Sequence, residues 1–335
     1  MGIISYGLRG NFKKFYDKLK TVSKENKISM PWLLSDFIKC FIKMKCGYSD
    51  YLNYKMYLRT KEQRKEYVSI IDEDKFYEIV SPSEFKTFFT IKPNFLNNFK
   101  DYINRDFYLP TDESKLEEFI KKHKEFMYKP VDGLGGHGIK KMKADEIEEV
   151  SKFYEKIKNE NCFLEEYIVQ HSEMNSLCPN SVNTIRIMTF ANDGKSEILF
   201  AGLRVGNGIN NVDNFHQGGM GVLVNVDNGK LIGNAFTKEL LQHEKHPTTG
   251  VEFNGFQIPN WEYIVDMVLR AALVNPNIHV VGWDVAVTEN GATFVEGNRR
   301  PGFDLVQVLY DKGRKDIMYH CLNKLSETTG KEYTV

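Results

Sequence analysis

The sequence predicts an α+β protein, and three observations carry that expectation. Residues 1–60 are rich in Lys, Phe, Tyr and Leu, with apolar side chains at helical spacing. From residue 125 onward, apolar runs alternate and reverse at Asn192-Asp193-Gly194, Asp227-Asn228-Gly229 and Glu289-Asn290-Gly291, the composition of hairpin turns. Strands that meet through hairpins, with helices kept apart from them, argue for α+β lobes rather than one doubly wound sheet.

The elements follow in chain order. Phe12, Phe15, Tyr16 and Leu19 recur at helical spacing, with Lys13, Lys14, Lys18 and Lys20 between them. The common meaning of that pattern is an amphipathic helix docked on the body with a solvated lysine face. The other is attachment to an anionic membrane surface. Residues 61–125 mix short helical and strand patterns, broken at Ser81-Pro82 and Lys92-Pro93. Asp112 is placed to cap a helix from Ser114 to about Lys124. Strands are expected over Glu125–Pro130, Ile139–Lys143, Phe163–Val169, Thr184–Ala191, Glu197–Val205 and Gly221–Val226, and a final hairpin over His279–Thr288 and Ala292–Glu296. Ala144–Lys158 and Trp261–Val274 have helical periodicity.

Bulk properties narrow the class. A chain of 335 residues with 41% hydrophobic content suits one globular protein of two or three lobes. Its 45 basic and 45 acidic side chains balance, so the basic excess of a nucleic-acid-binding protein is missing. No apolar run approaches bilayer length and no secretory signal opens the chain, which gives the expectation of a soluble cytoplasmic protein. Met1-Gly2 invites myristoylation, but Tyr6 stands where that motif needs Ser or Thr. The five cysteines are odd in number and form no C-x-x-C, so neither a disulfide framework nor a zinc site is indicated.

Two segments carry chemistry. The first runs Lys129-Pro130-Val131-Asp132-Gly133-Leu134-Gly135-Gly136-His137-Gly138-Ile139. A dinucleotide loop needs a helix after it, and here a strand-like run follows. A Walker loop ends in Gly-Lys-Ser/Thr, and this one ends in Gly-Ile. A kinase glycine loop is followed by its lysine, whereas Lys129 precedes this loop. What remains is a glycine flap between two antiparallel strands, whose N–H groups close on phosphate oxygens. Lys129 adds a point charge, worth roughly 4 kcal/mol per charge pair at about 4 Å and an effective dielectric near 20, before desolvation.

The second segment runs from Val281 to Asn298 and is an apolar hairpin carrying Asp284, Glu296 and Asn298. A buried carboxylate needs a partner, and a hard cation is the usual one. Glu296 and Asn298 share a face because they are two apart. A two-residue Asn-Gly turn pairs Val285 with Glu296 and throws Asp284 onto the opposite face. A three-residue loop, Glu289-Asn290-Gly291, pairs Asp284 with Glu296 and puts Gly291 at a left-handed position. The metal reading therefore requires the longer loop.

A strand lysine, a glycine flap, an acidic strand and an Asp…Glu-x-Asn hairpin, in that order, resemble the ATP-grasp superfamily. The sequence is most similar to its sugar-transfer-associated family, which is related to alpha-L-glutamate ligases. The likeness extends through Ser181–Arg186, Val212–Gly219, His246-Pro247-Thr248-Thr249-Gly250 and Gly282-Trp283-Asp284, and covers about residues 80–310.

The resemblance implies two α+β lobes clasping ATP. They are preceded by a helical region (1–80) and a linking segment (81–124), with the small lobe at 125–170 and the large lobe at 171–335. It implies that Lys129, Gly133, Gly135, Gly136, His137 and Gly138 hold phosphates, joined by Lys92 or, second to it, Lys86. Glu165, Glu166, Tyr167 and Ile168 become the adenine hinge, and Asp284, Glu296 and Asn298 the Mg2+ ligands. Arg186 and Arg299 are candidates to stabilise the transferred phosphoryl group. Asn183, His216 and Arg300 are candidates for the substrate pocket, although Arg186 and Asn183 serve equally well as structural hydrogen-bonding groups.

The reaction implied is ligation of a carboxylate to an amine through an acyl phosphate, in cell-surface polysaccharide or peptide-modification chemistry. An ATP-grasp kinase and a non-catalytic nucleotide-binding module of a glycan-assembly system are the alternatives. The implied partners are ATP and a small-molecule, glycan or peptide acceptor, with no nucleic acid and at most peripheral membrane contact.

Overall fold

The computed structural model describes residues 12–132, 138–208, 218–237 and 241–335. Their strands form two antiparallel sheets. The smaller runs β1 (Phe107–Tyr108), β4 (Cys162–Glu166), β2 (Glu125–Pro130), β3 (Lys140–Lys143). The larger runs β11 (Gly291–Asn298), β10 (Val280–Thr288), β5 (Thr184–Asn192), β6 (Lys195–Val205), β7 (Met220–Val224), β8 (Leu231–Thr237), β9 (Gln242–His243). The α+β expectation holds, with helices concentrated at the start of the chain and around the sheets. Among the described residues no helix is long and apolar enough to cross a membrane.

The N-terminal region folds as its pattern dictates. Helix α1 (Phe12–Asn26) buries Phe15, Leu19 and Val22, and α2 (Met30–Met44) buries Leu33, Phe37 and Cys40. Helix α3 (Ile70–Val80) starts in a capping box, Asp72 N donating to Ser69 Oγ (3.3 Å) and Ser69 N to Asp72 Oδ2 (2.9 Å). It ends where the Ser81-Pro82 break requires. Residues 61–125 depart from expectation, being helical and irregular apart from β1. Their short apolar runs build α4 (Lys92–Asn98) and α5 (Glu113–Lys122) because they pack against the sheets rather than into them. Pro93 sits in the first turn of α4, and the Asp112 carboxylate caps α5 by accepting from Ser114 N at 2.9 Å. The expected helix at Ala144–Lys158 is a 3-10 turn followed by α6 (Val150–Asn159).

Each face of the large sheet has its own core. On one side Ile185, Ile187, Trp283, Val285 and Phe294 pack under α7 (Trp261–Ala272), and Phe89, Phe95 and Phe99 close the end of that layer. Trp283 stacks on Phe294 with ring centroids 4.6 Å apart. On the other side Met188, Phe190, Phe200 and Val280 meet α1–α3, α8 (Asp304–Tyr310) and α9 (Lys315–Thr329). A third core joins the small sheet to α5 and α6 through Phe119, Phe126, Phe153 and Leu164.

The N-terminal region is joined to the C-terminal helices by backbone contact. Lys315 N donates to Glu66 O at 3.0 Å, and Gln307 Oε1 accepts from Val68 N at 2.7 Å. A Cβ on Gly313 would lie 2.2 Å from the Glu66 carbonyl carbon, where backbone meets backbone. Gly313→Ala should therefore cost about 1–3 kcal/mol, measured as a lower urea midpoint at unchanged slope. An unchanged midpoint would show that this junction yields without cost.

Candidate active site

The site is assembled by register. In the large sheet Asp284 pairs with Arg186 on one side and Glu296 on the other. The Asp284–Glu296 pairing was expected from a three-residue loop, but the structure reaches it differently. The turn is the two-residue Glu289-Asn290, with Thr288 opposite Gly291, and the register then shifts between Asp284 and Val285, leaving Val295 as the extra residue. Gly291 does have the positive φ (+129°) that its place in the turn requires. A second bulge, between Met188 and Thr189, leaves Leu199 unpaired and sets Arg204 opposite Thr184. Arg204 therefore shares the face of Arg186, Asp284, Glu296 and Asn298.

This face is a charge layer. Both Asp284 oxygens are taken: Arg186 binds them with Nε and Nη2, and Arg204 Nη2 lies 2.7 Å from Oδ2. Arg186 also donates to Pro301 O at 3.1 Å, and Arg204 to Thr184 Oγ1 at 2.7 Å. Burial alone would raise the Asp284 carboxyl, which is 1% exposed; the arginines, Arg186 first, outweigh it and hold the pKa at about 2. Glu296 behaves oppositely. Solvent reaches it along the cleft, yet the surrounding protein desolvates it, and that desolvation, followed by the charge of Asp284, raises its pKa. Asn298 Nδ2 donates to Glu296 Oε1 at 3.2 Å.

The small sheet supplies the opposite wall. Met127 is opposite Glu165, so Lys129, two residues on, points to the same side and bonds Glu165 Oε2. Arg105 Nη2 donates to Glu165 Oε1 at 2.8 Å and its Nη1 to Thr293 Oγ1 at 2.9 Å, tying the two sheets together. Burial would raise Glu165; Arg105 and then Lys129 outweigh it and bring it to about 2. Lys92, at the start of α4, donates from Nζ to Pro130 O at 3.2 Å, and its own pKa is lowered by burial, which Glu296 partly offsets.

Between these walls lies a cavity of about 310 Å³ lined by Lys92, Lys129, Glu165, Glu296, Asn298 and Arg299, with Lys86 and Arg300 also at its edge. Gly297 lets its floor close, since a Cβ there would fall 2.7 Å from the Phe89 ring. Gly138, the outgoing end of the glycine flap, has φ +77°, and a Cβ would meet Pro130 Cγ at 2.8 Å. Gly133, Gly135, Gly136, His137 and His216 lie outside the described residues. Tyr167 and Ile168 follow β4 in a stretch without regular structure, which precedes a short helix (Ser172–Leu177) on the way to the large sheet. Glu166 is used locally, its N–H donating to Asp106 O and its carboxylate accepting from Asp106 N, each at 2.9 Å.

Other expected residues stand elsewhere. Asn183, expected in the substrate pocket, has no exposed surface; its amide nitrogen donates to Gln170 Oε1, Met174 O and Cys178 O, and its oxygen accepts from Gly206 N. It braces the chain under β5 and does not line the cleft. Arg186 lies on Asp284 rather than on the cavity wall. Arg299 donates to Ser81 O, and Arg300 reaches Asp74 at 2.9 Å and also Glu78, so both anchor the cleft rim to α3. Arg105 and Arg204 were not anticipated. The register of β6 would reveal Arg204 only if the bulge at Leu199 were known.

Two antiparallel sheets facing a cleft, with a strand lysine and a glycine-rich sequence between β2 and β3 on one and an Asp/Glu/Asn hairpin on the other, fit the ATP-grasp class. Within it the chain belongs to the sugar-transfer associated ATP-grasp family, whose model matches residues 53–321. No curated protein matches the chain. Among solved structures it is similar to the ATP-grasp ligase PsnB complexed with minimal precursor (16% identity, 75% of this chain, 64% of that one, TM-score 0.44). It is also similar to D-alanyl-alanine synthetase A from Vibrio cholerae O1 biovar eltor str. N16961 (11% identity, 72% and 66%, TM-score 0.42). The chain spans just under two thirds of the length of each.

The charge layer has a signed pH consequence. A depressed carboxyl stabilises the fold above its unfolded pKa, near 3.8 for Asp284, and loses that contribution as pH falls toward its folded value of about 2. Asp284→Asn leaves two guanidiniums without their acid and should cost about 3–5 kcal/mol near neutrality. That deficit should shrink steadily between pH 4 and pH 2 as wild type protonates, measured by urea unfolding of both proteins. A deficit constant across this range would mean that Asp284 is not held as the paired anion.

Proposed function

We propose that this chain is an ATP- and magnesium-dependent ligase, which activates a substrate carboxylate as an acyl phosphate for attack by an amine in polysaccharide or peptide-modification chemistry. The observation that carries the reading is one cleft faced by Lys92 and Lys129 from one side and by Glu296 and Asn298 from the other. Cations suit a polyphosphate, and paired oxygen donors suit a hard cation that also binds phosphate. The donor set fits magnesium in a specific way. Glu296, raised by burial and by Asp284, gains most from a nearby cation, and Asn298 adds an amide oxygen on the same face. Asp284 stands behind them, occupied by arginines, and in this reading orients Arg186 and Arg204.

Magnesium, when bound, would supply charge neutralisation across the phosphates. The chain's own residues do the rest by positioning and electrostatics. Lys129 and Lys92 hold the phosphates while a carboxylate oxygen attacks the γ-phosphorus and the bond to the β–γ bridging oxygen breaks, releasing ADP. Arg299 at the rim offers positive charge to an anionic acceptor, and Arg300, held by Asp74 and Glu78, fixes the rim beside it. The amine nitrogen then bonds the acyl carbon, inorganic phosphate leaves, and the ammonium proton passes to phosphate or solvent.

Calorimetry tests the first half. ATP should bind wild type more tightly with magnesium than without, and Glu296→Gln should remove most of that gain, at least about tenfold in Kd, or about 1.4 kcal/mol. Lys92→Met should weaken ATP binding with or without the metal. A folded wild-type protein that binds no ATP sinks the reading. Amine-dependent phosphate release supports ligation, whereas a stable phosphorylated product replaces the ligase with a kinase.

A further inference from the structure

We propose that the outer face of α2 docks this protein on an anionic lipid bilayer. Packing has settled which side of α2 faces inward: Leu33, Phe37 and Cys40 are buried against α1 and its neighbours. The outward side still carries large apolar groups, Trp32 (46% exposed), Ile38 (54%) and Ile42 (61%). Ile38 and Ile42 are one turn apart and form a ridge. Lys39 and Lys43, also one turn apart and exposed, run beside it. Phe12 on α1 adds a further exposed ring (55%).

The charge around this ridge points to its occupant. Between Phe12 and Lys45 stand nine lysines and three acids, in a chain whose net charge is zero. The only acid on α2, Asp36, is turned inward, bound by Arg64 at 2.8 and 2.9 Å and by the Tyr51 hydroxyl at 2.8 Å. The exposed side of α2 is thus apolar and cationic without an acid, the combination that lies in the headgroup region of an anionic membrane. Trp32 suits the same depth, since indole prefers the interface. At 15 residues α2 lies on such a surface rather than crossing it. A second copy of the chain is a poorer partner, because a two-fold contact on this face sets lysine against lysine.

The test is vesicle flotation with the full chain. Vesicles of phosphatidylcholine mixed with phosphatidylglycerol should carry wild type, vesicles of phosphatidylcholine alone should not, and high salt should release it. Ile38→Ser/Ile42→Ser and Lys39→Glu/Lys43→Glu should each weaken binding at least about tenfold. Both pairs are exposed, and circular dichroism and ATP binding should match wild type. Wild type that fails to float with anionic vesicles, or double variants that float as well as wild type, overturn the proposal. Self-association abolished by Ile38→Ser/Ile42→Ser, without vesicle binding, assigns the face to copies of the chain instead and also overturns it. None of these residues lines the cleft, so either result leaves the nucleotide reading untouched.

Discussion

The large sheet is organised around one buried carboxylate. Asp284 lies in the middle of an apolar strand, and an acid there is tolerable only if its charge is met. Arg186 meets it directly across β5, and Arg204 from the next strand. Regular pairing places Arg186, but neither Arg204 nor Glu296 is placed by regular pairing alone. The bulge at Leu199 turns Arg204 onto the correct face, and the bulge at Val295 does the same for Glu296. A one-residue slip in a sheet exchanges its two faces, so these irregularities decide whether the polar layer is brought together or split between the two cores.

The N-terminal helices complete this side of the sheet. They cover the same face that carries Asp284, continuing the core of Met188, Phe190 and Phe200. Their acids then reach the segment after the β10–β11 hairpin. Glu73 Oε1 accepts from Phe303 N at 2.8 Å, and Asp74 and Glu78 receive Arg300. Glu73 is pushed up to about 8 by burial and by its acidic neighbours, chiefly Asp304, although the Phe303 N–H opposes the shift. The region therefore fixes the direction in which Arg299 and Arg300 leave the strand and meet the cleft.

How far the sequence could be read follows from the range of each interaction. Hairpins marked by Asn-Asp-Gly and Glu-Asn-Gly, the Asp112 cap and the Pro breaks were legible because each depends on a few neighbouring residues. The Asp284–Glu296 pairing was legible as a requirement of the metal reading, but its cause was misassigned to the loop, because a bulge leaves no glycine or proline at Val295 to mark it. Arg105 was invisible for a different reason. Its partners, Glu165 and Thr293, are 60 and 188 residues away, and nothing local distinguishes it from a surface arginine. Asn183 shows the converse, a polar residue in a promising motif whose bonds are all spent on Gln170 and nearby backbone.

The two buried acids share one arrangement. Glu165 has Arg105 and Lys129, and Asp284 has Arg186 and Arg204. Glu165 therefore holds one cation more than its own charge requires. A single cation on each acid would be locked, because its departure would strand a charge in a poorly solvated site at a cost of several kcal/mol. With two, one cation can turn toward an incoming anion while the other keeps the carboxylate paired. On the small sheet Lys129 is the one beside the cavity, and Arg105 is fixed by Thr293 and Phe294. A polyphosphate of the kind proposed for this cleft would compete with Glu165 for Lys129, leaving in place the bond from Arg105 across to β11. Lys129 gives the cavity wall its affinity for anions, and the fixed Arg105 keeps the two sheets together while that affinity is used.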